Sequence, residues 1–206
     1  QQGRFVAISN TSGTVNNWQD ADNLGTAWVA GGALPATATW SSITFVNGAF
    51  VAVATGSQTS AYTRDGAISW TGVNLPSSSN WNSVAGGIVP SLQATTGNVY
   101  AVVAVSSTSG TTAAYSNVVT TVGAAGGTST LSVWGSATLP ATASWQAVGY
   151  GYDPVNNIGR FIAVAGAGSQ ATAVSTNGGA TWTAGGNLPV SSTWVKVAYG
   201  ANGVWV

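Results

Sequence analysis

Short stretches of alternating or continuous apolar residues recur along this chain. WSSITF (40–45) and WQAVGY (145–150) alternate, whereas GAFVAVA (48–54) and GRFIAVA (159–165) are almost continuously apolar. Alternation is typical of strands with one buried face, and a short continuous run is typical of strands buried on both faces. Glycine, asparagine, aspartate and proline separate the stretches, as they do around turns. The pattern predicts an all-β chain of short strands.

One phrase, Leu-Pro followed by four small or polar residues and Trp, recurs along the chain. It reads LPATATW, LPSSSNW, LPATASW and LPVSSTW, and it closes at Trp40, Trp81, Trp145 and Trp194. A second tryptophan precedes each phrase, at Trp28, Trp70, Trp134 and Trp182. Four strands in each unit of roughly 40–50 residues are typical of a β-propeller blade, whereas the alternative, a β-sandwich, does not explain the repeat. We predict that residues 1–206 form a single β-propeller region of four-stranded antiparallel blades, about four of which are visible.

The proline of each phrase has a fixed φ and no N–H to donate, which suits the exit from an outer strand. We therefore expect the phrase to carry the chain from the outer strand of one blade to the first strand of the next. The two chain ends, GRFVAIS (3–9) and GVWV (203–206), match the same position in the repeat. This redundancy predicts either a larger ring, of which these residues are a part, or ends that pair with a neighbouring subunit.

Two further segments, TRDGAISW (63–70) and STNGGATW (175–182), share a Ser/Thr, an Asp/Asn, glycine and a closing Trp. They resemble the Asp-box, or BNR, repeat, and the wider pattern is similar to propeller repeats of phage tail proteins and other extracellular proteins. The resemblance implies that each segment is the hairpin between the third and fourth strands of a blade. Its structural residues here are Thr63, Asp65, Gly66 and Trp70, and Ser175, Asn177, Gly178 and Trp182.

The composition argues against several classes of function. The chain has 4 Lys+Arg, 4 Asp+Glu, and no His, Cys or Met. A nucleic-acid partner is not expected without a basic face, and neither a zinc site nor thiol chemistry is expected without its ligands. The apolar runs are far shorter than the ~20 residues of a membrane-spanning helix, so we expect no membrane insertion. Low charge favours an extracellular or virion-surface location and self-association into an oligomer or larger assembly.

Catalysis is not expected either. Asp-box propellers include sialidases, and that resemblance implies an arginine triad, a Tyr–Glu pair that supplies the nucleophile, and an Asp that acts as acid/base. The chain has three arginines, Arg4, Arg64 and Arg160, but no Glu. A degenerate sialidase-like glycoside hydrolase is therefore the most distant reading, and we predict a protein that is not an enzyme and has no cofactor. DADNLG (20–25) offers Asp20 and Asp22 as weak calcium ligands, but Leu24 stands where a ligand is expected.

Candidate binding residues lie outside the repeated phrases, in VNNWQD (15–20) and YGYDPVNN (150–157). Aromatic plates and neutral amides are the groups that hold sugars, and loops on rigid scaffolds carry function. The candidates are Asn16, Asn17, Trp18 and Gln19, and Tyr150, Tyr152, Asp153, Asn156 and Asn157. They favour recognition of a cell-surface glycan or receptor, as in a phage tail fibre or adhesin. The alternative is a purely structural subunit of a filament, phage tail or capsid decoration.

Overall fold

The computed structural model describes residues 4–10, 14–19, 28–90, 99–120, 129–200 and 205. These residues contain strands and turns but no α-helix. The strands are β1 (Arg4–Ile8), β2 (Thr14–Gln19), β3 (Val29–Ala33), β4 (Thr39–Val46), β5 (Ala49–Thr63), β6 (Thr71–Ile88), β7 (Tyr100–Ser106), β8 (Gly110–Thr120), β9 (Ser129–Leu131), β10 (Gly135–Ala143), β11 (Trp145–Asp153), β12 (Ile158–Ala165), β13 (Thr172–Ser175) and β14 (Thr183–Ala184). The prediction of an all-β protein is confirmed.

The strands pair antiparallel in three sheets. The first has the order β1-β2-β3, and the last has the order β11-β12-β13-β14. Between them lies a seven-stranded sheet of order β10-β8-β7-β6-β5-β4, with β9 paired to β8. Consecutive strands are therefore neighbours nearly everywhere, as short turns between antiparallel strands require.

The seven-stranded sheet exists because β6 changes partner along its length. Residues 71–74 and 79–80 of β6 pair with β5, whereas residues 81–88 pair with β7. The phrase LPSSSNW (75–81) lies where the partner changes. Phrase 139–145 likewise runs from β10, which pairs with β8, into β11, which pairs with β12. The phrase thus carries the chain between pairings as expected, but β6 stays extended and joins what we expected to be separate sheets.

Three clusters of buried side chains hold the strands together, each between successive parts of the chain. The first contains Leu34, Trp40 and Ala52. The second combines Val53 and Leu75 with Trp81, Ala104 and Trp134. The third combines Val103, Val105 and Leu139 with Trp145, Phe161, Ala163 and Trp182. Trp40 and Trp145 pack between successive sheets, and Trp81 packs between two parts of the seven-stranded sheet; at each place a large apolar plate stabilises the packing.

A register shift directly follows three of the closing tryptophans: between Trp40 and Ser42 in β4, between Trp81 and Ser83 in β6, and between Trp145 and Ala147 in β11. A bulge of this kind frees a side chain or N–H to point along the sheet.

Side-chain hydrogen bonds next to these shifts link β4 to β6 and β6 to β11. Ser42 Oγ accepts a hydrogen bond from Val84 N at 3.1 Å, and Ser83 Oγ accepts one from Val148 N at 3.1 Å. Asn82 Nδ2 also donates to the carbonyl of Gln146 at 2.7 Å. The first strands of three successive units therefore lie side by side.

Candidate functional site

The turn between β11 and β12 is built around Asp153. Its Oδ1 accepts hydrogen bonds from Val155 N at 3.0 Å and Asn156 N at 3.2 Å, and its Oδ2 accepts one from Asn156 Nδ2 at 2.7 Å. Asn157 has φ 51, which asparagine tolerates better than most residues. Tyr152 Oη donates to Asn157 Oδ1 at 2.9 Å. An Asp-Pro sequence followed by Asn residues thus folds into a self-bonded turn.

This turn forms one wall of a polar cleft with a volume of about 390 Å³. The other walls come from the segment after β6 and from the end of β13. The lining residues are Pro90, Asn156, Asn157, Ile158, Gly159, Arg160 and Thr176. Two of the predicted binding residues, Asn156 and Asn157, therefore line one cleft together.

Arg160 supplies the positive charge of the cleft, and its side chain is exposed. Hydrogen bonds from the Asn156 side chain, and then from its backbone, hold the pKa of Asp153 below its ordinary value, and the charge of Arg160 lowers it further. Asp153 is thus ionised at neutral pH, and the turn N–H groups engage it. The cleft can offer a guanidinium and amide groups to a ligand that carries carbonyl or carboxylate oxygens.

Tyr150 lies in β11 rather than in a loop, and it packs between units. Its Oη donates to the carbonyl of Ile88 at 2.7 Å, and its ring lies 5.0 Å from the ring of Phe161, centroid to centroid. The ring covers Gly87, where a Cβ would collide with it. Burial raises the pKa of the Tyr150 hydroxyl. The expectation of a loop position for Tyr150 was wrong, since its ring fills space between strands.

The N-terminal candidates also lie in a strand. Asn16, Asn17, Trp18 and Gln19 belong to β2, where Trp18 is opposite Phe5 and Asn16 is opposite Ala7. The expectation of a loop insertion there was wrong, because β1 provides a pairing partner that local sequence does not reveal. The weak calcium candidates Asp20 and Asp22 lie outside the described residues.

The two Asp-box-like segments form turns with matching hydrogen bonds. Thr63 Oγ1 donates to Asp65 Oδ1 at 2.7 Å, and Ser175 Oγ donates to Asn177 Oδ1 at 3.0 Å. Asp65 Oδ1 accepts from Ser69 N, and Asn177 Oδ1 accepts from the equivalent Thr181 N, both at 3.0 Å. Glycine occupies the positive-φ position after each acceptor, with φ 73 at Gly66 and 75 at Gly178. The two segments therefore form equivalent turns, and the Asp-box resemblance stays a prediction.

The charged side chains of the first turn differ in how well they are bonded. Partial burial favours a raised pKa at Asp65, but hydrogen bonds from Ser69, Thr63 and Ile68 outweigh it and hold the pKa below its ordinary value. Burial lowers the pKa of the neighbouring Arg64, whose Nε and Nη2 have no hydrogen-bond partner in the described part of the chain. Trp70, which closes this turn, likewise has a buried Nε1 without a partner there, whereas its counterpart Trp182 donates to Gly179 O at 3.0 Å.

The described residues contain no group of three or more Asp, Glu, His or Cys side chains that could hold a metal ion. Nor do they include a helix long and apolar enough to cross a membrane.

Antiparallel sheets stacked through repeated tryptophan interfaces define an all-β protein of the β-propeller class. The solved structure of YCF48 bound to D1 peptide is similar, with 12% identity, a TM-score of 0.56, and coverage of 99% of this chain and 62% of that one. YCF48 from Cyanidioschyzon merolae is similar with 16% identity, a TM-score of 0.50, and coverage of 93% and 56%. The chain thus spans less than two thirds of either structure. The sequence matches no family model and no curated protein.

These neighbours correct the predicted function. The sequence predicted recognition of a cell-surface glycan or receptor, as in a phage tail fibre, or else a filament, tail or capsid subunit. That prediction is wrong, since the similar propellers are YCF48 and one of them has a D1 peptide bound. One of the aromatic candidates for a sugar ligand, Tyr150, packs between strands. Five tryptophans of the repeat are at most 8% exposed, namely Trp40, Trp81, Trp134, Trp145 and Trp182.

Sequence reasoning missed the role of Arg160 and Thr176 in the cleft. Arg160 stands in GRFIAVA (159–165) and matches Arg4 in GRFVAIS (3–9), so it resembles an ordinary repeat residue. Its position beside the Asp153 turn depends on the pairing of Gly151 with Arg160 across β11 and β12. The only local signal was a cation directly after an asparagine-rich turn.

Proposed function

We propose that this chain is a non-catalytic β-propeller segment that binds an extended polypeptide of a partner protein in the cleft beside Arg160. The observation that carries the proposal is the cleft itself, in which an exposed guanidinium and the Asn157 side chain converge over about 390 Å³. A propeller of similar fold, YCF48, has been solved with a D1 peptide bound. Fold and function are separable, so the proposal depends on the cleft and uses the neighbour as support.

The chemistry of the cleft favours a peptide with an acidic residue. Arg160 can donate two parallel hydrogen bonds to a carboxylate, and exposed turn residues can contact the peptide backbone. Asp153 is close enough for the charge of Arg160 to lower its pKa, but its two oxygens accept bonds from its own turn. An acidic side chain of the peptide can therefore form an ion pair with Arg160. The negative charge of Asp153 is nearby, but the N–H groups of its own turn already stabilise it.

The repeat supports units of four antiparallel strands within a propeller. In the last unit the order β11-β12-β13-β14 holds directly. In the unit before it, residues 81–88 of β6 pair with β7, β7 with β8, and β8 with β10. We infer that the same four positions recur and that the extended course of β6 runs across the boundary between two units.

The absence of an acid/base pair at the cleft supports a non-catalytic role. Asp65 and Asp153 are the acidic residues within the described segments, and their own turns hold both ionised. A general acid needs a pKa near the working pH, whereas the pKa values of Asp65 and Asp153 are lowered from the ordinary value of a carboxyl group. Location in an extracellular space or on a virion stays a prediction from composition.

The test is binding to an array of random 12-residue peptides, followed by calorimetry of the strongest ligands. Arg160→Ala is expected to weaken binding of acidic peptides about tenfold or more, because a charge-assisted bond contributes about 1.5–3 kcal/mol. Lys196→Ala is the matched control, since it removes an exposed cation that lies outside this cleft. Failure of any peptide to bind, or equal losses in the two variants, would show that the cleft is not a peptide site.

A further inference from the structure

The hairpin between β4 and β5 turns at an Asn-Gly pair, Asn47 and Gly48. Val46 pairs with Ala49 across the two strands, so the loop between them has only these two residues. Both have a positive φ, 45 at Asn47 and 78 at Gly48, as the central residues of a type I′ turn require. Gly48 is exposed, and open space lies where a side chain would stand. The peptide bond between the two residues therefore lies at the solvent-facing tip of the hairpin.

An Asn-Gly sequence can react with itself. The main-chain nitrogen of the glycine attacks the side-chain Cγ of the asparagine and forms a new C–N bond. The bond from Cγ to the amide nitrogen breaks, and ammonia leaves with the proton of the attacking nitrogen, so a cyclic succinimide remains. Water then opens the ring at either carbonyl and gives aspartate or isoaspartate, in which the main chain runs through the former side chain. Glycine favours the reaction because it lets the backbone approach closely.

A second Asn-Gly pair, Asn177 and Gly178, is held in a geometry that opposes this reaction. Asn177 Oδ1 accepts hydrogen bonds from Ser175 Oγ and Thr181 N, both at 3.0 Å, and its Nδ2 donates to Thr181 Oγ1 at 2.8 Å. The carboxamide therefore cannot turn toward its own main chain without losing these bonds. Gly178 is also buried, so water has little access to it.

The residues on either side of the β4–β5 loop, Val46 and Ala49, are both buried. Val46 belongs to the cluster around Trp81 and fills the space above Gly86 in β6, where an added Cβ would come within 2.6 Å of it. Isoaspartate lengthens the main chain of the loop by a carbon atom, so the two-residue turn that places Val46 there is lost. A change at the exposed tip thus reaches a buried contact between two strands.

We propose that Asn47 is a self-modification site, which converts to aspartate and isoaspartate as the folded protein ages, while Asn177 stays an amide. The exposure of Gly48, against the burial of Gly178 and the fixed carboxamide of Asn177, supports this difference. Both products add a negative charge to a chain whose formal net charge is 0, and isoaspartate loosens the hairpin. The hairpin thus sets a rate at which the folded chain loses stability with age. The site does not depend on the cleft beside Arg160.

The test is incubation of the folded full chain at mildly alkaline pH, where the attacking nitrogen loses its proton more readily, followed by tryptic digestion and mass spectrometry. Cleavage after Arg64, Arg160 and Lys196 puts the two pairs on separate peptides, 5–64 and 161–196, and fragmentation locates the altered residue. Another Asn-Gly pair, at 202–203, lies outside the described residues and falls on a different peptide. Asn47 is expected to convert about tenfold faster than Asn177 or more, because freeing the Asn177 carboxamide costs hydrogen bonds and tenfold corresponds to about 1.4 kcal/mol. Equal rates, or faster conversion of Asn177, would overturn the proposal.

Unfolding the chain supplies one control. In concentrated guanidinium chloride both pairs are simply Asn-Gly sequences, so their rates should become similar, and a difference that persists there would show that the fold is not its cause. Asn47→Gly supplies another, because glycine tolerates the positive φ and has no side chain to react. The melting temperature of the wild type should fall during the incubation, whereas that of Asn47→Gly should not. Equal falls in the two proteins would contradict isoaspartate at the hairpin as the cause.

Discussion

The indole Nε1 of Trp81 donates a 3.0 Å hydrogen bond to the carbonyl oxygen of Ser77, four residues earlier. The same bond joins Trp40 to Ala36, Trp145 to Ala141 and Trp194 to Val190. In each case the acceptor directly follows the proline of the phrase. The bond closes the segment between Leu-Pro and Trp, so a buried indole N–H is satisfied without a partner from another sheet. This local closure explains why proline and tryptophan recur at one spacing.

The closing bond predicts a graded loss of stability. Trp81→Phe keeps a ring but removes the N–H and leaves space at a fully buried site, so we expect a loss of about 1–3 kcal/mol in the free energy of unfolding. Trp194→Phe, at the half-buried fourth position, should cost less than about 1 kcal/mol. Urea unfolding of the two variants measures both values. Equal losses would contradict a role for burial at the first three phrases.

The Asp65 turn predicts a pH dependence of stability. Because the folded pKa of Asp65 lies below its ordinary value of 3.8, its contribution is present above that value and is lost as the pH falls through the folded pKa. Asp65→Asn should remove this component, and Asn177 shows that an amide fits the equivalent turn position. The measurement is the melting temperature from about pH 2 to pH 7. The difference between wild type and variant should shrink on acidification.

The matching control for that experiment is Asp153→Asn. The folded pKa of Asp153 is also lowered, so this variant should remove a second acidic component of the same sign without affecting the first turn. A difference between wild type and Asp65→Asn that stays constant with pH would count against the hydrogen bonds as the cause of the shift.

The contact between Gly87 and Tyr150 predicts that Gly87→Ala destabilises the chain. The new Cβ would overlap the rigid Tyr150 ring, which the bond to Ile88 holds in place. Overpacking of this kind costs about 1–3 kcal/mol, measurable by chemical unfolding. Gly186→Ala is the control, because open space surrounds that position, and its cost should be within about 0.5 kcal/mol.

A double variant separates steric overlap from backbone effects at Gly87. Tyr150→Ala removes the ring, so adding Gly87→Ala to it should cost much less than Gly87→Ala alone costs in the wild type. Additive losses would mean that the ring is not the source of the destabilisation.

The repeat was readable from the sequence, but its alignment was not. The run NVYAVVA (98–104) resembles GRFIAVA (159–165), and aligning the two sequences matches Tyr100 with Phe161. The strand pairings instead put Val102 at the Phe161 position, because Gly86 pairs with Val102 as Tyr150 pairs with Phe161. A shift of two residues leaves every side chain on the same face of the sheet, so the apolar pattern cannot detect it.

The candidate site was predictable only in part, for a related reason. The asparagines at 156 and 157 follow an Asp-Pro pair, and turn chemistry of that kind is local. The partners of Tyr150 are not local, since Ile88 and Gly87 lie in a distant strand. The cleft also needs Arg160 and Thr176, which the pairing of β12 with β13 brings near the turn.

By itself, the sequence determined that this protein is all-β, where its turns fall and that one Leu-Pro-Trp phrase organises it, because periodicity and turn chemistry act over a few residues. The tertiary structure decided the register of β7, the continuous course of β6 and the burial of Tyr150. Those outcomes depend on which strands pair and which faces meet, and such contacts join residues far apart along the chain.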